Sequence, residues 1–223
     1  MFQLGKLTFD VKSARISGAY YEPSINQRAG SGNAEEAFLW FIDIDMAEGE
    51  FAYQFSEEEL AEEDLDEEDE YFYESAAPRL YHNNGFQIAV SSWKDLEGKT
   101  LNWDCAYNEN EEEAGTLCVF EHEEVTRGKI EILKRHEQSF LLRWSGTANV
   151  FWSEEYGADV PFLFEGEVAF TGLSAHSDVA LTEAEVRAAM DKFIRMDEFS
   201  CKSQTCHQVM HGNTYGWNFV PAE

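Results

Sequence analysis

Basic residues are scarce in this chain. Sixteen Lys and Arg stand against 44 Asp and Glu, which leaves a formal net charge of -28 over 223 residues. A surplus of that sign repels phosphate backbones and anionic lipid surfaces, so nucleic acid and membrane drop out as expected partners. Proline is rare, at four, and the fifteen glycines are scattered, which excludes low-complexity and collagen-like chains. Four cysteines, Cys105, Cys118, Cys201 and Cys206, fit free thiols in a reducing compartment. Long apolar runs are absent: the most apolar window, Ala37–Ile42, is cut by Asp43, far short of a membrane span. The opening MFQLGKLTFDVKS has no basic stretch leading into an apolar one, so no signal peptide is expected. The chain reads as soluble and cytoplasmic.

Signatures of nucleotide and hydrolase chemistry are also missing. Neither a Walker loop nor G-x-G-x-x-G occurs, and no G-x-S-x-G elbow accompanies the serines. His176-Ser177-Asp178 has triad residue types, but adjacent side chains cannot line up through one imidazole. Asp64–Glu68 begins like a calcium loop, then places Asp69 where a glycine is required and Ser75 where the closing glutamate belongs.

Apolar and aromatic residues are plentiful, at 43% and 14%, so a packed core is expected despite the charge. Ten segments rich in aromatic and β-branched residues read as strands: 2–9, 12–21, 38–45, 50–55, 87–93, 101–107, 116–122, 129–134, 140–144 and 162–170. Of these, 129–134 and 140–144 flank His136–Ser139 as a hairpin. The fold class expected is mainly β (α+β), an antiparallel β-sandwich or curved sheets, with a C-terminal helix packed on the sheet. That helix opens at Thr182 with Glu185 closing a capping box, runs through Ile194, and gathers Val186, Met190, Phe193 and Ile194 on one face. A second capping box, Ser56 with Glu59, starts a helix that like-charge repulsion stops early. Most of the six tryptophans are expected to be core.

The chain is expected to form one unit, 1–223, with two similar β-modules, 1–100 and 101–175, as an option. An acidic insertion spans 56–74, and 176–223 reads as a helical extension. The duplication rests on three matches in the same order: Gly5–Leu7 with Gly128–Ile130, Arg15–Gly18 with Arg143–Gly146, and Glu48–Tyr53 with Glu165–Phe170.

Three groups of residues invite a functional reading. The stretch from Glu57 to Glu70 holds eleven acids in fourteen residues, and Glu62, Glu63, Asp66 and Glu67 are its candidate partner-binding side chains. Its length from Glu62 to Glu70 is expected to be loosely ordered when free, for lack of apolar surface to bury. A second acidic segment mixes in aromatics, with Trp152, Glu154, Glu155 and Tyr156 suited to gripping a basic surface. Finally, Cys201, Cys206, His207 and His211 concentrate zinc-type ligands without the spacing of a standard finger, and Cys201 and Cys206 are near enough in sequence to suggest a disulfide on oxidation. Asp43 and Asp45 share one strand face and could hold a divalent cation or share proton transfer, or simply face solvent.

These features favour a non-catalytic acidic binding protein that neutralises or inhibits a basic protein, with an immunity-type inhibitor of a bacterial toxin or effector as the best match in character. The alternatives are an enzyme or metal-binding protein that uses Asp43/Asp45 or the Cys201–His211 cluster, and a structural protein whose acids serve solubility.

Overall fold

The computed structural model describes residues 1–22, 36–54, 71–82, 84–107, 113–119, 122–150, 159–209 and 212–222. In chain order the elements are β1 (Phe2–Leu4), β2 (Leu7–Phe9), β3 (Val11–Tyr21), β4 (Ala37–Met46), β5 (Gly49–Gln54), β6 (Tyr71–Ala76), β7 (Arg79–Tyr81), β8 (Thr100–Trp103), β9 (Thr116–Cys118), β10 (His122–His136), β11 (Ser139–Ala148) and β12 (Val160–Ser177). They are followed by α1 (Glu183–Met190), β13 (Phe199–Val209) and β14 (Gly212–Pro221).

The strands form where side chains alternate. In β4 every even position from Phe38 to Met46 is buried and every odd one is half-buried. In β11, Phe140, Leu142 and Trp144 are buried in the same two-residue rhythm. The hairpin expected at 136–139 is present with a two-residue loop: His136 pairs with Ser139, and Glu137 takes a positive φ of 54° to close the turn.

One mixed sheet of twelve strands runs β11-β10-β9-β7-β4-β3-β12-β1-β2, with β8 and the β13–β14 hairpin attached to its flanks. A further pairing of β11 with β12 closes seven of these strands into a ring. All neighbours in the ring are antiparallel except β3 and β12. A ring that size leaves an interior just wide enough for side chains. It is filled by Ile16, Trp40, Ile42, Leu80, Leu117, Ile130, Leu142, Trp144, Phe164 and Val168, each at most 1% exposed.

β12 organises the whole. Its first half lies between β11 and β1, and its second half lies between β3 and β14. Trp93 stacks on Phe170 of this strand at 4.5 Å and 11°. Of the tryptophans described, Trp40, Trp93, Trp144 and Trp217 are buried, and Trp103 is half-buried against Trp144.

The mainly β expectation and the docked helix hold, with several corrections. The parallel β3–β12 pair makes the large sheet mixed, not purely antiparallel. The helix starts as expected: the Glu185 carboxylate accepts from the Thr182 N–H at 2.7 Å, and Val186 and Met190 are buried. It stops at Met190, because the chain then tightens into a turn in which Ile194 N–H returns to the Met190 carbonyl and the Asp191 carboxylate takes the Met196 N–H. Beyond it, the expected helical extension is instead the β13–β14 hairpin. Segment 87–93, read as a strand, runs beside β4 with a single bridge, Trp40 to Phe86, and ends in a 3₁₀ turn at Trp93–Leu96.

Two of the three ordered matches fall on unlike positions, whereas Arg15–Gly18 in β3 and Arg143–Gly146 in β11 are alike, each on a ring strand with its second residue buried. Gly5 sits in the β1–β2 turn with φ +56°, whereas Gly128 lies mid-strand in β10, and β5 belongs to a separate ribbon while 165–170 is central to the ring.

Buried polar groups set an acid limit on this packing. His82 is buried with its ring edge-on to Phe86 and Trp103, and burial pushes its pKa down to about 4. The folded state therefore prefers neutral imidazole. Its contribution is complete above pH 6.5 and is lost as pH falls towards 4, by about 3 kcal/mol at most. Urea midpoints at pH 7 and pH 4.5 should show a clear loss in the wild type and a smaller one in His82→Leu. Equal losses in both would show that His82 is not the acid-sensitive group.

Candidate functional site

The register places the direction of every ring strand. β4 ends at Met46 opposite Val11, where β3 begins. β7 begins at Arg79, beside Asp45 and Cys118, and β9 ends at Cys118 opposite His122, where β10 begins. β11 ends at Ala148, which pairs with both Val125 and Val160, the start of β12. All these termini lie at one end of the ring. Segments 47–78, 119–121 and 149–159 therefore all leave from that end. Together they hold eighteen Asp or Glu and no Lys or Arg.

The first of these segments carries an antiparallel ribbon, β5 with β6, that is separate from the large sheet. Its base is clamped: Met46 and Ala47 donate their N–H groups to the Pro78 and Asp10 carbonyls at 2.9 and 2.8 Å, and Gly49 lies directly on the Phe9 ring. Any Cβ at Gly49 would come within 2.5 Å of that ring. The ribbon pairs as far as Gln54 with Tyr71, so residues 55–70 join two adjacent strand ends. Glu62, Glu63, Asp66 and Glu67 belong to that connection, and Trp152, Glu154, Glu155 and Tyr156 to the one between β11 and β12. All eight lie outside the described residues. β4 and β7, which bracket the first connection, and β11 and β12, which bracket the second, have their ends together, which no sequence spacing announces.

Asp43 and Asp45 stand on the outer face near this end, and the structure gives them partners that sequence reading missed. Arg15 donates to Asp43 at 2.7 Å and Arg79 through Nε at 2.8 Å, while Arg79 also approaches Asp45 at 3.3 Å and Ser13 donates to Asp45 at 2.8 Å. The ladder pairs of β3, β4 and β7 set these residues side by side. Burial alone would raise the Asp43 carboxyl, but hydrogen bonds and charge from Arg79 and Arg15 outweigh it and hold the group below the usual carboxylate range. Two aspartates facing two arginines form a neutral cluster. It holds the strands and leaves the acidic surplus of the connections uncompensated. Asp43→Asn should cost about 1 kcal/mol, since the arginines are nearly half exposed, and a thermal melt reads it. A loss several times larger would mean that the pair carries more than cross-strand support.

The zinc-type residues are arranged along one strand. Cys201, Cys206 and His207 all belong to β13, where adjacent Cys206 and His207 point to opposite faces. His211 lies outside the described residues. Among the described residues no three His, Cys, Asp or Glu side chains converge to hold a metal ion. Both cysteines are free thiols, and five residues of extended strand separate their Cα atoms by roughly 16 Å, so the suggested disulfide is out of reach. In the His176-Ser177-Asp178 stretch, the Ser177 hydroxyl is held by the backbone of Val179 at 2.9 Å, and His176 stacks on Tyr21. No helix among the described residues is long and apolar enough to cross a membrane.

Compared with protein-family models, with curated proteins and with solved structures, the chain matches none of them.

Proposed function

We propose that this chain is an acidic, non-catalytic binding protein that neutralises or inhibits a basic protein partner, in the manner of an immunity protein that blocks a bacterial toxin or effector. The observation that supports this reading is the sorting of charge between the two ends of the ring. At one end, segments 47–78, 119–121 and 149–159 carry eighteen acids and no Lys or Arg, and the β1–β2 turn beside Pro161 adds the single Lys6. At the other end, segments 22–36, 91–99, 133–138 and 178–198 carry twelve acids and eight bases, a far smaller surplus. Acids needed only for solubility have no reason to sort in this way. A one-sided field orients an approaching cation before contact and raises its association rate. The β11–β12 connection also contains Trp152 and Tyr156, residue types that anchor an interface once charge has brought a partner in.

The test begins with capture. The protein is immobilised, exposed at low salt to a lysate of its native source, and eluted by raising salt. The expected result is one basic protein that elutes with salt and is not retained by a variant carrying Glu62→Lys, Glu63→Lys, Asp66→Lys and Glu67→Lys. Equal retention by that variant would contradict the proposal.

A further inference from the structure

Residues 199–221 contain no Asp or Glu, in a chain that holds 44 of them. This acid-free stretch is the β13–β14 hairpin. β14 joins the large sheet through β12, and the other side of β13 has no strand beside it among the described residues. The beginning of that strand is occupied. Arg187 reaches from α1 to the Met196 and Phe199 carbonyls at 2.9 and 3.1 Å, and Cys201 packs on the core. A bulge between Cys201 and Ser203, carrying Lys202, then disturbs the ladder. Bulges and lysines are two of the devices that keep sheet edges from pairing. Both end at Ser203.

From Ser203 to Val209 the strand runs on with that edge open, and Ser203, Gln204, Cys206 and His207 are exposed. Among the described residues, the edge strands β2 and β8 of the large sheet are only three and four residues long. An open edge of seven residues is a template for another strand. Symmetry favours an identical one, because antiparallel pairing about a two-fold axis lets the same contacts satisfy both copies. Charge favours the same place. Two chains at -28 repel each other, and this hairpin brings no acid of its own to the contact, the carboxylates nearest it being Asp178 beside Thr214 and Glu183 beside Cys201.

We propose that two copies of the chain associate by antiparallel pairing of residues 203–209 of β13, extending the sheet across a two-fold axis. This inference is independent of the basic partner, and its salt dependence has the opposite sign. Screening removes repulsion between like-charged copies, so self-association strengthens as salt rises, whereas capture of a basic protein weakens.

Sedimentation equilibrium of the full chain at low salt and at about 0.5 M salt tests it. The expected result is a mass moving from 25.5 kDa towards twice that value with concentration, more readily at high salt. Gln204→Glu with Cys206→Glu, at two exposed positions, should weaken the dimer about ten-fold by setting like charges against each other across the axis, with the circular dichroism and melting temperature unchanged. In hydrogen exchange, the amides of 203–209 should gain protection with concentration in the wild type and not in the variant. A single 25.5 kDa species at every concentration and salt would overturn the proposal. So would a dimer of undiminished strength in the acidic variant, which would place the interface elsewhere.

Discussion

Gly172→Ala is expected to destabilise the protein by about 3 kcal/mol or more, a large share of the total for a domain of ordinary stability. Gly172 lies at the irregularity between Phe170 and Leu173, where β12 exchanges the neighbours of its first half for β3 and β14. Its φ is +106°, which residues with a Cβ adopt only under strain, and an added Cβ would sit 2.2 Å from the Phe219 carbonyl oxygen. That oxygen is main chain in β14, so relief requires moving the β12–β14 ladder and with it Trp217 and Phe219 in the core. Gly98 provides the control. It has φ +79° and nothing within 4 Å of an added Cβ, so Gly98→Ala meets backbone strain alone, about 1 kcal/mol. Denaturant unfolding of both variants separates the two causes. A Gly172→Ala loss no greater than that of Gly98→Ala would mean that the strand crossing can shift at little cost.

The legibility of this chain followed burial. β4 and β11 could be read because their inner faces are apolar at every second residue, and the helix because Thr182 and Glu185 form a cap that depends on local sequence alone. β13 and β14 could not be read in the same way. Their cores are few, Phe199, Trp217 and Phe219, and the rest is Ser, Thr, Gln, Asn and Gly that pair through the main chain. β6 and β7 were hidden for a related reason. They are short and follow a run of acids, and their positions are set by partners elsewhere, Gly49–Gln54 for one and Asp43–Asp45 with Thr116–Cys118 for the other. Closure of the ring is a non-local fact, since the parallel match of β3 to β12 joins residues some 150 positions apart, and no local pattern encodes it.

At the candidate site, the composition of 57–70 and 152–156 was plain in the sequence, but the shared end of the strands that bracket them was not. It follows from strand direction alone. The roles of Arg15 and Arg79 had a faint signal, arginines on strands at the same alternation as Asp43 and Asp45, which becomes meaningful only once the register is known.

Reversing four charges in the β5–β6 connection should slow association with the basic partner on the order of ten-fold or more while leaving stability nearly unchanged. The two expectations are linked. Exposed acids far from the core contribute only tenths of a kcal/mol each to folding, and their mutual repulsion means that reversal can even stabilise. For binding, the same acids act at a distance, before any contact forms, so their effect falls on the association rate. Their reach shortens to about 8–10 Å near physiological ionic strength, and salt should therefore slow the wild type far more than the variant.

The most direct measurement is the association rate of the captured partner with the wild type and with the Glu62→Lys, Glu63→Lys, Asp66→Lys, Glu67→Lys variant, each at low and at physiological salt. The expected result is a fast wild-type rate that drops steeply with salt and a slow variant rate that barely changes. Equal rates for the two proteins at both salt concentrations would contradict it and leave the acids of this end as a device for solubility.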